Sequence, residues 1–88
     1  MEFEWDTAKA EANLAKHGVS FEVAAELDWS NALITPQVVR GKARFAALAP
    51  VGDRLHFCAY VIRGEVRRII SLRKANRREV YRYLEVLE

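Results

Sequence analysis

The hydrophobic pattern along the chain changes its period twice. Phe3-Glu4-Trp5 alternates and predicts a short opening strand. Asp6 then stands at an N-cap position before the alanine- and lysine-rich stretch Thr7 to His17, and Gly18 fits the left-handed residue that ends a helix. Ser20 is a second N-cap, with Val19 and Ala24 placed as a hydrophobic staple. Phe21, Val23, Ala24 and Leu27 give this second helix an apolar side, and it is expected to end near Trp29. From there the period becomes two. Strands are predicted at about 32–38, 44–49, 55–62 and 66–73, separated by turn signals at Gly41, Pro50 with Gly52-Asp53, and Gly64. That spacing suits an antiparallel meander of three to four strands. On the strand at 55–62, Leu55, Phe57, Ala59 and Val61 are expected to face the core, and His56, Cys58, Tyr60 and Ile62 to line a groove. The chain closes on a helix: Asn76 and Glu79 form a capping-box pattern, and Val80, Tyr83, Leu84 and Leu87 form a docking stripe. The fold class is α+β, with residues 1–88 as a single domain.

Composition narrows the class. With 51% hydrophobic residues the chain is globular rather than disordered. No apolar run approaches the roughly 20 residues of a membrane span, and the acidic N-terminus is unlike a signal peptide. The single cysteine, Cys58, cannot pair within the chain, so a cytoplasmic location is expected. The net charge of +2 conceals an asymmetry. Residues 1–39 carry two lysines against seven acids, whereas residues 40–88 carry twelve basic side chains, ten of them arginine, against five acids. Arginine offers a permanently charged planar fork suited to phosphate. The basic half therefore points to a polyanion or to an acidic partner segment, set against the plainer reading of a solvated surface.

The densest constellation runs from Arg67 to Glu79. On a regular strand Arg67, Ile69, Ser71 and Arg73 share one face and Arg68, Ile70, Leu72 and Lys74 the other. With Ile70 and Leu72 in the core, Ser71 and Arg73 would meet His56 and Tyr60 on the open face. Arg77 and Arg78 fall in the first turn of the last helix, where the macrodipole disfavours cations, so an anion held there would compensate. The alternative is that Glu79 and Glu65 neutralise these arginines as surface pairs. Lys9, Asn13 and Lys16 lie on one side of the first helix, with His17 in its last turn, where it either caps carbonyls or serves as a proton donor. Paired cysteines, a His-Glu-x-x-His motif, a carboxylate cluster and a glycine-rich phosphate loop are all missing, so no metal and no cofactor are expected. Cys58 beside His56 reads as a core residue before it reads as a nucleophile, and Trp5 and Trp29 as pins between helix and sheet before base-stacking platforms.

Three ordered blocks resemble one family. Trp5-Asp6-x-x-Lys9-x-x-x-Asn13-x-x-Lys16-His17-Gly18-Val19-x-Phe21-x-x-Ala24 resembles the opening of the BrnT toxins. Arg44-Phe45-x-Ala47-Leu48 and Arg68-Ile69-Ile70-Ser71-x-Arg73-x-Ala75-x-x-x-Glu79-x-x-x-Tyr83 resemble the remainder. The resemblance implies a RelE-like fold, metal-independent RNA cleavage, growth arrest, and a cognate BrnA-like ribbon-helix-helix antitoxin that masks the toxin in a hetero-oligomer. On this reading Arg44, Arg68 and Arg73 stabilise phosphate charge, and either His17 or Glu79 shuttles the proton. Lys16, Ser71, Lys74, Arg77 and Arg78 hold RNA. Two alternatives remain open: a non-catalytic module that binds RNA or serves the antitoxin as a corepressor, and a housekeeping RNA-binding domain.

Overall fold

In the computed structural model, which describes residues 1–87, the elements run β1 (Glu2–Glu4), α1 (Thr7–His17), two 3-10 segments (Phe21–Glu26 and Trp29–Asn31), β2 (Leu33–Val39), β3 (Lys42–Val51), β4 (Arg54–Arg63), β5 (Val66–Lys74) and α2 (Arg77–Leu87). Glu88, the last residue of the expected domain, lies outside the described residues. The meander is present: β2, β3, β4 and β5 pair antiparallel in succession. The sheet nevertheless has five strands in the order β1-β5-β4-β3-β2 and is mixed, because β1 pairs parallel with β5. No local pattern encodes a partner more than sixty residues away.

The second helix is two 3-10 segments instead of an α-helix. Its buried side chains, Phe21, Ala24 and Leu27, recur every three residues, the period at which a 3-10 helix keeps one face inward. Ser20 does cap it, accepting from the Glu22 N–H at 3.2 Å, while Asp6 occupies the α1 N-cap without a side-chain bond. Gly18 takes φ +71° as the α1 C-cap, its N–H donating to the Leu14 carbonyl.

Both faces of the sheet carry core. On the first face Ala47, Ala49, Cys58, Tyr60, Ile69 and Leu72 pack beneath Val19, Phe21, Ala24 and Leu27. The expectation that Cys58 and Tyr60 line a groove is thus corrected: they belong to the main core, and His56 on the same face is buried too, its Nδ1 3.0 Å from the Arg54 carbonyl. Leu55 and Phe57 face the opposite side, in a smaller cluster with Leu48, Ala75 and Tyr83. Strand β5 explains how one strand serves both. A register shift at Ala59/Tyr60 pairs Ala59 with Ser71 and Tyr60 with Ile69, which leaves Ile70 unpaired as a bulge. Ile69 and Leu72 therefore share the first face, where strict alternation would have placed Ile70 and Leu72.

The apolar contact of helix α2 is made by Val80 and Tyr83, with the Tyr83 hydroxyl donating to the Asn31 carbonyl at 2.7 Å. Leu84 and Leu87, expected in the docking stripe, are exposed. The helix packs on the second face of the sheet, where Val80 and Tyr83 meet Leu33, Leu48, Leu55 and Phe57.

Candidate active site

The bulge decides which arginines meet. Phe57, Ala59 and Val61 alternate onto the second face of β4, and their partners Arg73, Ser71 and Arg68 follow them. Arg44 precedes Phe45, whose partner Tyr60 lies on the first face, so Arg44 points to the second face as well. The three arginines expected to stabilise phosphate therefore share one face. Between them on that face lie the small, buried residues Ala46 and Ala59. At about 3.3 Å per residue, Arg68 and Arg73 stand roughly 15 Å apart along β5.

Arg73 is the most ordered of them. Its guanidinium lies 4.2 Å above the Phe57 ring and makes a two-pronged pair with Glu79, at 2.8 and 3.0 Å. Glu79 also completes the capping box: its Oε1 accepts from the Asn76 N–H, and the Glu79 N–H donates to the Asn76 side chain, both at 2.9 Å. At the start of α2, then, the structure shows the alternative reading for Arg73, an internal pair with Glu79. Burial pushes the Glu79 pKa up, but the Arg73 hydrogen bonds, the Asn76 N–H and the charges of Arg73 and Arg82 outweigh it and hold the carboxyl below its ordinary range. Arg68 pairs with Glu4 of β1 at 2.8 Å. Arg44 is partly buried, and its Nε has no partner among the described residues. Arg82 of α2 reaches the Thr35 hydroxyl on β2.

The remaining expected residues divide. Lys74, Arg77 and Arg78 are exposed beside Arg73 at the junction of β5 and α2. Lys16 is exposed on α1, and His17 is half-buried without a hydrogen-bond partner among the described residues. Asn13, grouped in the sequence with Lys9 and Lys16, instead turns inward. Its amide donates to the Leu72 carbonyl at 2.7 Å and accepts from the Leu72 N–H at 3.2 Å, continuing the edge of β5 where β1 stops. Ser71 Oγ stands 3.5 Å from the same amide oxygen. An asparagine amid alanines in a helix, where its propensity is poor, was the available signal.

Arg67 was expected beside Ser71 and Arg73, and the bulge sends it to the opposite face. There its guanidinium lies 3.8 Å from the Trp29 ring and 5.5 Å from Tyr60. The adjacent apolar pair Ile69-Ile70, which breaks alternation, was the only sequence hint. Cys58 is no nucleophile in this environment: burial pushes its thiol up to about 12, and the Arg67 charge offsets this only in part.

Chemically, this face can bind a polyanion through several guanidiniums over a small-residue floor, with one guanidinium held rigidly by a carboxylate. A family model described as "Ribonuclease toxin, BrnT, of type II toxin-antitoxin system" matches residues 5–79. Among curated proteins, none matches the chain.

Proposed function

Because the chain belongs to the BrnT family of ribonuclease toxins of type II toxin–antitoxin systems, we propose that the arginine face cleaves RNA without a metal ion, on a fold of the RelE-like class. The family supplies the activity; the observation that carries the placement is Arg73, fixed between Phe57 and Glu79 on the face that Arg44 and Arg68 share. In such a cleavage the ribose 2′-OH attacks the adjacent phosphorus, the P–O5′ bond breaks, and a 2′,3′-cyclic phosphate and a 5′-OH result. The hydroxyl proton passes to a base, the leaving oxygen takes a proton, and cations stabilise the charge gathering on the phosphoryl oxygens. Arg73 contacts the scissile phosphate. Arg44, with a free Nε, and Arg68 lie too far along the sheet to share one phosphate closely, and they hold the neighbouring backbone together with Lys74, Arg77 and Arg78.

Glu79, kept ionised with both oxygens on Arg73, orients that guanidinium. The proton shuttle falls to His17, one helical turn beyond Asn13, whose amide is bonded to the residue preceding Arg73. Lys16, its neighbour in the chain, and Ser71 orient substrate. An RNA target places the protein in the cytoplasm, with a ribbon-helix-helix antitoxin of the BrnA kind as its partner.

The test compares Arg73→Ala with Arg54→Ala, an exposed arginine that opens β4. Loss of one transition-state cation is expected to slow RNA cleavage by about 100-fold or more and to abolish growth arrest, while Arg54→Ala stays at the parent level. Equal activity of the two variants removes Arg73 from the mechanism.

A further inference from the structure

The first face of the sheet is only half covered. Val19, Phe21, Ala24 and Leu27 close the end nearest the β3–β4 turn. At the other end, toward the Arg40-Gly41 and Gly64-Glu65 turns, Trp29 and Phe3 cover the β5 side, and the residues toward β2 are exposed. Register places Pro36 and Val38 of β2 there beside Phe45 and Ala43 of β3, with Ile34 further along the same face of β2 beside Ala47, and β4 adds Ile62 opposite Arg67. Val38 is 74% exposed, Ile62 42% and Ile34 40%. This apolar strip runs out to β2, the edge strand, whose outer side pairs with nothing among the described residues. Exposed aliphatic side chains grouped on one face mark an interaction surface.

Charge identifies the occupant. Arg67 sits within the strip, stacked on Trp29, with its Nε buried and unpartnered and no carboxylate paired to it among the described residues. Arg40, Lys42 and Arg63 stand at the adjoining turns, and the acids near them, Glu65 and Glu2, are not paired to Arg67 among the described residues. A guanidinium embedded among aromatic rings without a counter-ion lacks a carboxylate from outside. RNA is the poorer fit, since its bases stack on aromatic rings and gain little from isoleucine and valine. A second copy fits worse, because a two-fold contact would set these arginines against their own equivalents.

We propose that this strip is where the antitoxin docks, through an amphipathic segment whose apolar side covers Ile34, Val38 and Ile62 and whose carboxylate pairs with Arg67. The proposal rests on the toxin reading and adds a separation of surfaces. The antitoxin grips the face opposite the arginines that cleave RNA, so binding and catalysis can be uncoupled by mutation.

The experiment co-expresses the chain with the product of the adjacent antitoxin gene and reads co-purification, growth and RNA cleavage in parallel. Wild type is compared with the double variant Val38→Asp/Ile62→Asp and with Val38→Lys/Ile62→Lys, melting of each free chain serving as the folding control. The aspartate pair should weaken antitoxin binding by at least about tenfold, leave RNA cleavage at the parent level, and produce growth arrest that the antitoxin no longer relieves. The lysine pair should lose less, because it keeps the charge that an acidic segment seeks. Undiminished co-purification of the aspartate variant overturns the proposal. So does loss of RNA cleavage in a folded variant, which would make the strip an RNA surface, and so does a wild-type dimer that the variant splits, which would make it a contact between copies. A wild-type chain that neither cleaves RNA nor arrests growth overturns the enzymatic reading instead, while co-purification still decides the docking.

Discussion

At the scale of single residues, the site turns on one ion pair. Glu79 holds Arg73 and caps α2 with the same carboxylate, so its protonation touches both. Its folded pKa is lowered overall, although burial alone would raise it. Stability from this group is therefore complete above the ordinary glutamate range and drains away as pH falls through the depressed folded value. Acid titration of wild type and Glu79→Gln should show this: glutamine still serves a capping box, but the variant lacks that segment of the acid-induced loss. Its RNA cleavage should also fall, because the Arg73 guanidinium loses its two-pronged support. A variant whose acid profile and cleavage both match the parent would show that the pair orients nothing. The residue types of this pair were legible in the sequence, which placed Glu79 in a capping box. That the carboxylate would also meet Arg73 was not, since the contact depends on how sharply the chain turns from β5 into α2.

At the scale of elements, the edge of β5 is completed by a side chain. Strand β1 covers only Val66, Arg67 and Arg68, and beyond it the Asn13 amide meets both backbone groups of Leu72. Asn13→Ala leaves a buried donor and acceptor without partners, at a cost of about 2 kcal/mol, or roughly 10 °C in Tm for a domain of this size. Thermal melts of Asn13→Ala beside Lys9→Ala, a solvated neighbour on the same helix, should separate the two clearly. Equal melting of the pair would mean that water replaces the amide at no loss. Because β5 carries Arg68 and Arg73, loosening its edge should also lower RNA cleavage in proportion to the unfolded fraction. The sequence marked α1 and the four meander strands to within a residue or two. It missed the 3-10 segments, the bulge and the parallel β1, each of which is set by packing between distant parts of the chain.

At the scale of the whole molecule, the division of labour is between two faces. One binds the N-terminal layer and leaves an apolar strip uncovered; the other spreads Arg44, Arg68 and Arg73 over a small-residue floor. If catalysis is the metal-free attack of the 2′-OH, cleavage should persist undiminished in excess chelator. The RNA ends should carry 2′,3′-cyclic phosphate and 5′-OH groups, detectable by resistance to direct 3′ ligation. Chelator-sensitive cleavage that leaves 3′-OH ends would dismiss the mechanism while leaving the family membership untouched. RNA affinity should also fall steeply with salt, since several guanidiniums displace counter-ions from the backbone.

What the sequence determined by itself is whatever depends on neighbours: the period of each element, the turns at Gly41, Gly52 and Gly64, the helix caps, and the concentration of arginine in the second half. These follow from backbone sterics and short-range hydrogen bonds, which are local. Only the tertiary structure decided which arginines stand together. One unpaired residue, Ile70, reverses the facing of everything before it on β5, sending Arg67 to the face of Tyr60 and Trp29 and Arg68 to the side of Arg73. Because strand side chains alternate with a period of two, a single-residue bulge changes the partners of a whole segment, and that bulge is set by pairing with β4 and not by the residues that form it.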